Sequence, residues 1–129
     1  MSRRRLFVLL GLAVLGAVLV ACSSDDSDSG DSGDSGGDAT EVAVTVTSEG
    51  CPSDLQVAAG RTKFVITNDG ANAIDEFEIL EGDHILGEAE HLAPGLTGSF
   101  TLDLEPGEYV TYCPGGTERE RSTLVVAAP

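Results

Sequence analysis

Gly107-Glu108-Tyr109-Val110-Thr111-Tyr112-Cys113-Pro114-Gly115-Gly116 is the stretch on which the reading of this chain turns. It alternates as a strand does and stops at a cysteine. Pro114, Gly115 and Gly116 then force a turn. A last apolar strand, Ser122 to Ala127, closes the chain. The end of the protein is therefore a strand that finishes on a cysteine, a loop, and a final strand.

Upstream, the segment 41–129 holds 89 residues, enough for one small domain with a thin core. Gly and Pro recur at short intervals, and no stretch carries apolar residues at sustained helical spacing. That pattern predicts an all-β sandwich with short connections. Val42, Val44 and Val46 mark a first strand, and Cys51-Pro52 breaks the chain. Leu55 to Ala59 is a second strand, stopped by Gly60. Thr62 to Thr67 is a third, with Phe64 and Ile66 on one face, and Asn68-Asp69-Gly70 is a turn signal. Asp75 to Leu80 is a fourth strand, and Asp83 to Glu88 a weaker fifth. Leu92 to Gly98 reads as a loop. Phe100, Leu102 and Leu104 share one face of a sixth strand, and Pro106-Gly107 turns into the seventh.

The N-terminus is a targeting segment, 1–21. Arg3, Arg4 and Arg5 precede an apolar run of 15 residues, Leu6 to Val20. A transmembrane helix needs about 20 such residues, so the run suits a signal peptide. Leu19-Val20-Ala21-Cys22 resembles the bacterial lipobox. That resemblance implies cleavage after Ala21 and a lipid on the Cys22 thiol, which would anchor the protein to the outer side of a membrane. Residues 22–40 form a Ser/Gly/Asp tether with six aspartates and no large apolar side chain. Such a segment cannot bury enough surface to offset its ordering entropy, and disorder is expected. As a flexible spacer it spans roughly 25 Å.

The full chain carries a net charge of −15. Removing the leader deletes three arginines and leaves four basic residues against 22 acidic ones, or −18. A surface of that sign repels nucleic acid and anionic lipid and favours cations or cationic partners.

A cysteine at the end of the penultimate strand, before a loop and a final strand, resembles the layout of cupredoxins. In copper-carrying cupredoxins that loop also holds a His and usually a Met; here it is PGGTERERS. The usual blue-copper set of His₂Cys with a weak axial ligand is therefore not expected. From about Val42 to Val126 the chain resembles the cupredoxin-like domain of EfeO-type iron-uptake proteins. The residues that carry this are Cys51, Ala59-Gly60, the EFEIL strand (Glu76 to Leu80), Ala93-Pro94-Gly95, and Pro106-Gly107-Glu108-Tyr109 followed by Cys113. The resemblance implies a cupredoxin-like Greek-key β-sandwich of about seven to eight strands. It covers that domain alone, without the helical HxxE-bearing domain such proteins usually carry. It also implies a metal or redox site at Cys51, Cys113 and Glu76, with Glu78 as a neighbour. The family's Met two residues before the second cysteine is Thr111 here, and its adjacent acid is Val110; both changes remove support for soft copper ligation.

Read without the family, Cys51 and Cys113 are an even pair in an oxidising compartment once Cys22 is lipidated. One reading is a disulfide, whose closure of a loop of about 62 residues would stabilise by roughly 4 kcal/mol. The other is a dithiolate metal site or a dithiol–disulfide couple that relays electrons. On the fourth strand Phe77 and Ile79 should face the core, with Asp75 on their side at the strand's start, where a His ligand enters in copper cupredoxins; Asp75 would there either point at the site near Cys113 or simply lie in the turn. Glu76 and Glu78 share the opposite face and read as solvated. Their oxygens suit hard cations such as Fe(III) better than Cu(I). His84 and His91 read as surface residues. Gly116 to Arg121 (GTERER) reads as a solvated loop of alternating charge.

No GxSxG, HExxH, P-loop or dinucleotide fingerprint occurs, and no enzymatic activity is expected. The resulting expectation is an extracytoplasmic lipoprotein accessory to iron uptake. Cys51, Cys113, Asp75, Glu76 and Glu78 would bind an iron or copper ion or relay electrons. The membrane, reached through the lipid, and an iron permease or another envelope protein would be its partners. A second reading, of a different class, is a disulfide-pinned binding module with no metal that docks an envelope protein.

Overall fold

A computed structural model describes residues 38–129. The expected signal peptide, the expected lipidation at Cys22 and the expected tether up to residue 37 fall outside the described residues. Within them the chain forms eight strands and two sheets. In order these are β1 (Thr40–Val46), β2 (Leu55–Ala58), β3 (Gly60–Asn68), β4 (Phe77–Glu81), β5 (His84–Ala89), β6 (Thr97–Leu104), β7 (Gly107–Tyr112) and β8 (Arg121–Ala127). One sheet runs β1-β3-β6 and the other β2-β8-β7-β4-β5. The β1–β3 and β2–β8 pairs are parallel, and the rest are antiparallel.

Alternation explains why these segments are strands. Along β3 the buried residues are Thr62, Phe64, Ile66 and Asn68, two apart, and Lys63, Val65 and Thr67 between them reach the outside. The same period turns Tyr109 and Thr111 of β7, with Cys113 just beyond, and Leu124 and Val126 of β8 inward. The two sheets meet through aromatic rings. Phe100 of β6 lies 5.5 Å from Phe64 on its own sheet and 6.3 Å from Phe77 on the other, within the range at which rings pack favourably. Val46, Ile66, Ile79 and Leu124 fill the space around them. At the far end Tyr109 Oη donates to the Glu105 carbonyl at 3.0 Å and pins the β6–β7 turn.

The element boundaries differ from the sequence expectation where loops are held by pairing. Thr97 and Gly98, read as loop, belong to β6, because their backbones continue the ladder with Thr67 and Ile66. Asp75 and Glu76, read as strand, lie before β4, where the Asp75 carbonyl accepts from the Leu92 amide of a neighbouring loop. Their place is set by a loop–loop contact that strand periodicity does not encode.

Candidate functional site

Four loops gather at the end of the sandwich where β7 finishes: residues 47–54, 69–76, 90–96 and 113–120. Cys51 and Cys113 join two of them through a disulfide with Cα atoms 5.5 Å apart, inside the usual 4.4–6.8 Å window. Both residues are fully buried. Of the two readings of the pair, the disulfide is the one present. A thiolate, not a disulfide sulfur, is the metal ligand, so the oxidised pair does not fit a metal site.

The loops are also tied by main-chain bonds. The Cys51 amide donates to the Arg119 carbonyl and the Cys113 amide to the Glu120 carbonyl. Thr117 donates to Ser48, and Glu118 and Arg119 donate to Glu49. The Arg119 side chain adds a clamp, with Nε on the Cys51 carbonyl at 3.1 Å and Nη2 on the Glu49 carboxylate at 2.7 Å. Thus GTERER is largely exposed, as its charge pattern implied, but it is anchored rather than free. Arg119 holds the opposing loop, and Arg121 begins β8 with its guanidinium 4.4 Å above the Tyr112 ring.

Close approach here requires glycine. At Gly50 (φ 124°) a Cβ would stand 2.0 Å from the Arg119 carbonyl oxygen, and at Gly115 (φ 92°) 2.3 Å from that of Ala73. Both torsions are in the region that glycine tolerates. Gly115→Ala is expected to lower unfolding stability by roughly 2 kcal/mol or more, measured by denaturant titration.

Asn68 supports the other two loops. It ends β3 and is fully buried. Its Nδ2 faces the carbonyls of Ala71, Ile74 and Leu92, and its Oδ1 accepts from the Ala71 amide at 2.7 Å. Two N–H hydrogens serve three carbonyls, so one is shared.

The expected site residues do not all converge. Asp75 is exposed and does not reach inward toward Cys113, and Glu76 is half-buried. Glu78 departs from expectation. It faces outward, as the alternation required, but is only 7% exposed, because Glu88 and Tyr112 flank it across the sheet. Burial, and then the charges of Glu76, Glu88 and Glu90 set against Arg121, push its carboxyl above the ordinary value. A carboxyl raised in this way favours folding when protonated, so stability from Glu78 should grow as pH falls through its folded pKa and be lost as it rises. Glu78→Gln is expected to raise the melting temperature at neutral pH and to leave it closer to wild type in acid. His84 and His91 are exposed, and His91 takes a left-handed φ of 58°, a region histidine enters more readily than most residues. Among the described residues, no three His, Cys, Asp or Glu side chains are placed to share a metal ion.

Thr111, which faces the core between Tyr109 and Cys113, carries a buried hydroxyl with no hydrogen-bond partner. Thr111→Val keeps the shape and removes that desolvated group. It is expected to stabilise by about 1 kcal/mol in thermal unfolding.

In the sequence Asn68 presents only as a turn residue and Arg119 only as solvated charge. The signal for Asn68 lay in its even spacing after Thr62, Phe64 and Ile66, which puts it on the core face.

A family model described as a cupredoxin-like domain matches residues 11–126. The iron uptake system component EfeO of Yersinia pseudotuberculosis serotype I (strain IP32953) is 40% identical over 92 residues, covering 70% of this chain and 24% of that protein. Its namesake from Escherichia coli (strain K12) is 43% identical over 77 residues, 59% of this chain and 20% of that protein. The chain thus spans a quarter or less of the length of these curated relatives. Among solved structures, reduced auracyanin from Roseiflexus castenholzii superposes with a TM-score of 0.59 at 16% identity, over 70% of this chain and 99% of that one. Auracyanin B gives 0.58 at 17% identity, over 69% and 89%. At that identity the structural likeness concerns the fold alone.

Proposed function

The chain belongs to the cupredoxin-like domain family, and on that premise we propose that it is an accessory of extracytoplasmic iron uptake, held at the membrane by a lipid on Cys22. The observation that carries this reading is the 40% identity to an iron uptake system component across 92 residues, 70% of this chain. The chemistry of the domain is compatible with that role. Its acidic surface concentrates cations, and carboxylate oxygens suit iron as cargo. The exposed Asp75 and half-buried Glu76 at the disulfide end are the groups we assign to transient iron contact. Cys51 and Cys113 would join them as thiolates only after two-electron reduction of their S–S bond by an external thiol or equivalent donor. In the oxidised state the pair is a structural pin. An iron permease or another envelope protein of the same system is the proposed partner.

Growth of the producing cells under iron limitation tests this reading. Loss of the chain is expected to slow accumulation of radiolabelled iron, and Cys22→Ala to slow it to a similar degree by releasing the protein from the membrane. Unchanged accumulation in both strains would overturn the proposal.

A further inference from the structure

The outer face of the five-stranded sheet carries chemistry used by neither the core nor the disulfide. Phe77 and Ile79 belong to the core, so Glu78 and Leu80 stand on the opposite side of β4. Yet they are only 7% and 5% exposed. Strand register sets their surroundings. Glu88 and Tyr112 flank Glu78, and Arg121, the β8 partner of Tyr112, ends that row. In the next row Ile85 and Val110 flank Leu80. Ile85 is 47% exposed, one of two large apolar side chains so exposed among the described residues. The face is an apolar row beside an acidic one.

Glu78 makes no hydrogen bond or ion pair to the described residues, and Glu76, Glu88 and Glu90 add negative potential around it, with Arg121 opposing them. The carboxylate of Glu78 still reaches solvent, but its neighbours shield most of the residue, and holding it ionised there is less favourable than in open water. A basic side chain laid onto this face would supply the partner, and the apolar row would supply the area that makes such a contact specific. Among the described residues no three of these carboxylates are placed to share a metal ion, whereas a guanidinium or ammonium on a protein surface can meet the acidic row while its neighbours cover the apolar one.

We propose that this face docks a protein whose contact surface is apolar at its centre and carries Lys or Arg at its rim, one of them seated on Glu78. The proposal stands on the sheet's own chemistry and holds whether or not the domain handles iron.

The test uses the full chain, isotopically labelled, and a synthetic peptide with leucines on one side flanked by lysine and arginine. A copy with glutamates in place of the basic residues serves as the comparison. Amide shifts on titration with the basic peptide are expected at Glu78, Leu80, Ile85, Glu88, Val110 and Tyr112, and not with the acidic copy. Glu78→Gln and Ile85→Ser should each weaken binding by about tenfold, whereas Glu105→Gln, in the distant β6–β7 turn, should leave it unchanged. Shifts spread over every acidic patch, equal weakening by Glu105→Gln, binding confined to another face, or no shift at millimolar peptide would each overturn the proposal.

Discussion

Asn68→Ala is expected to destabilise the protein by roughly 3–5 kcal/mol, a large share of the stability of a small domain. The substitution removes one amide and strands several groups. The Ala71 amide and the carbonyls of Ala71, Ile74 and Leu92 all lose a partner. These residues are at most 2% exposed, so water does not replace the lost bonds without local opening, and each unsatisfied group costs about 1–3 kcal/mol. The contributions are not additive, because the 69–74 and 90–96 loops can shift together once the hub is gone. Asn68→Asp tests the donor side specifically. It keeps the acceptor for the Ala71 amide but replaces the Nδ2 donor with a buried charge, and it should be at least as damaging at neutral pH. Urea unfolding monitored by far-UV circular dichroism reads both. A loss below about 1 kcal/mol for either variant would mean that the loops do not depend on this side chain.

Breaking the disulfide should be comparably severe. Cys51 and Cys113 are 62 residues apart in sequence, and closing a loop of that length restricts the unfolded chain by roughly 4 kcal/mol. Removing both cysteines as Cys51→Ser/Cys113→Ser adds two hydroxyls to a fully buried site, whereas Cys51→Ala/Cys113→Val leaves it apolar. The serine pair is therefore expected to be the less stable of the two, and both should fall 2–5 kcal/mol below wild type. The Arg119 clamp on Cys51 and Glu49 limits the loss, because it ties the same loops without the covalent bond. Combining the alanine–valine pair with Arg119→Ala should exceed the sum of the separate losses, as measured in a double-mutant cycle.

Much of the fold was legible because one face of nearly every strand meets the core, and period-two alternation reports that face directly. Phe64 with Ile66, and Phe77 with Ile79, were placed correctly on this ground alone. The fold class also followed from the position of Cys113 after β7. The fate of the cysteines was narrower than the sequence could decide. An even pair is consistent with a bond or with a dithiolate, and only the approach of the 47–54 and 113–120 loops brings the Cα atoms to bonding distance. Glu78 shows a different limit. Alternation assigns a side chain to a face but does not say how far its cross-strand neighbours cover it, and Glu88 and Tyr112 leave little of Glu78 exposed. Asn68 was obscured by its own turn signature, since Asn-Asp-Gly reads as a surface turn wherever it occurs. Arg119 could not be separated from its charged neighbours in GTERER, because its partners, Glu49 and the Cys51 carbonyl, lie about 70 residues away.

The structural role of the cysteine pair is tested most directly by its state in the cell. Acid-quenched cells producing the full chain would be alkylated under denaturing, non-reducing conditions, digested, and examined by mass spectrometry for the Cys51 and Cys113 peptides. The expected result is one disulfide-linked peptide pair with neither cysteine alkylated, unchanged by adding iron or copper to the culture or withdrawing it. Alkylation of both cysteines in metal-depleted cells, with protection on adding metal, would contradict it and make the pair a metal-ligating dithiol.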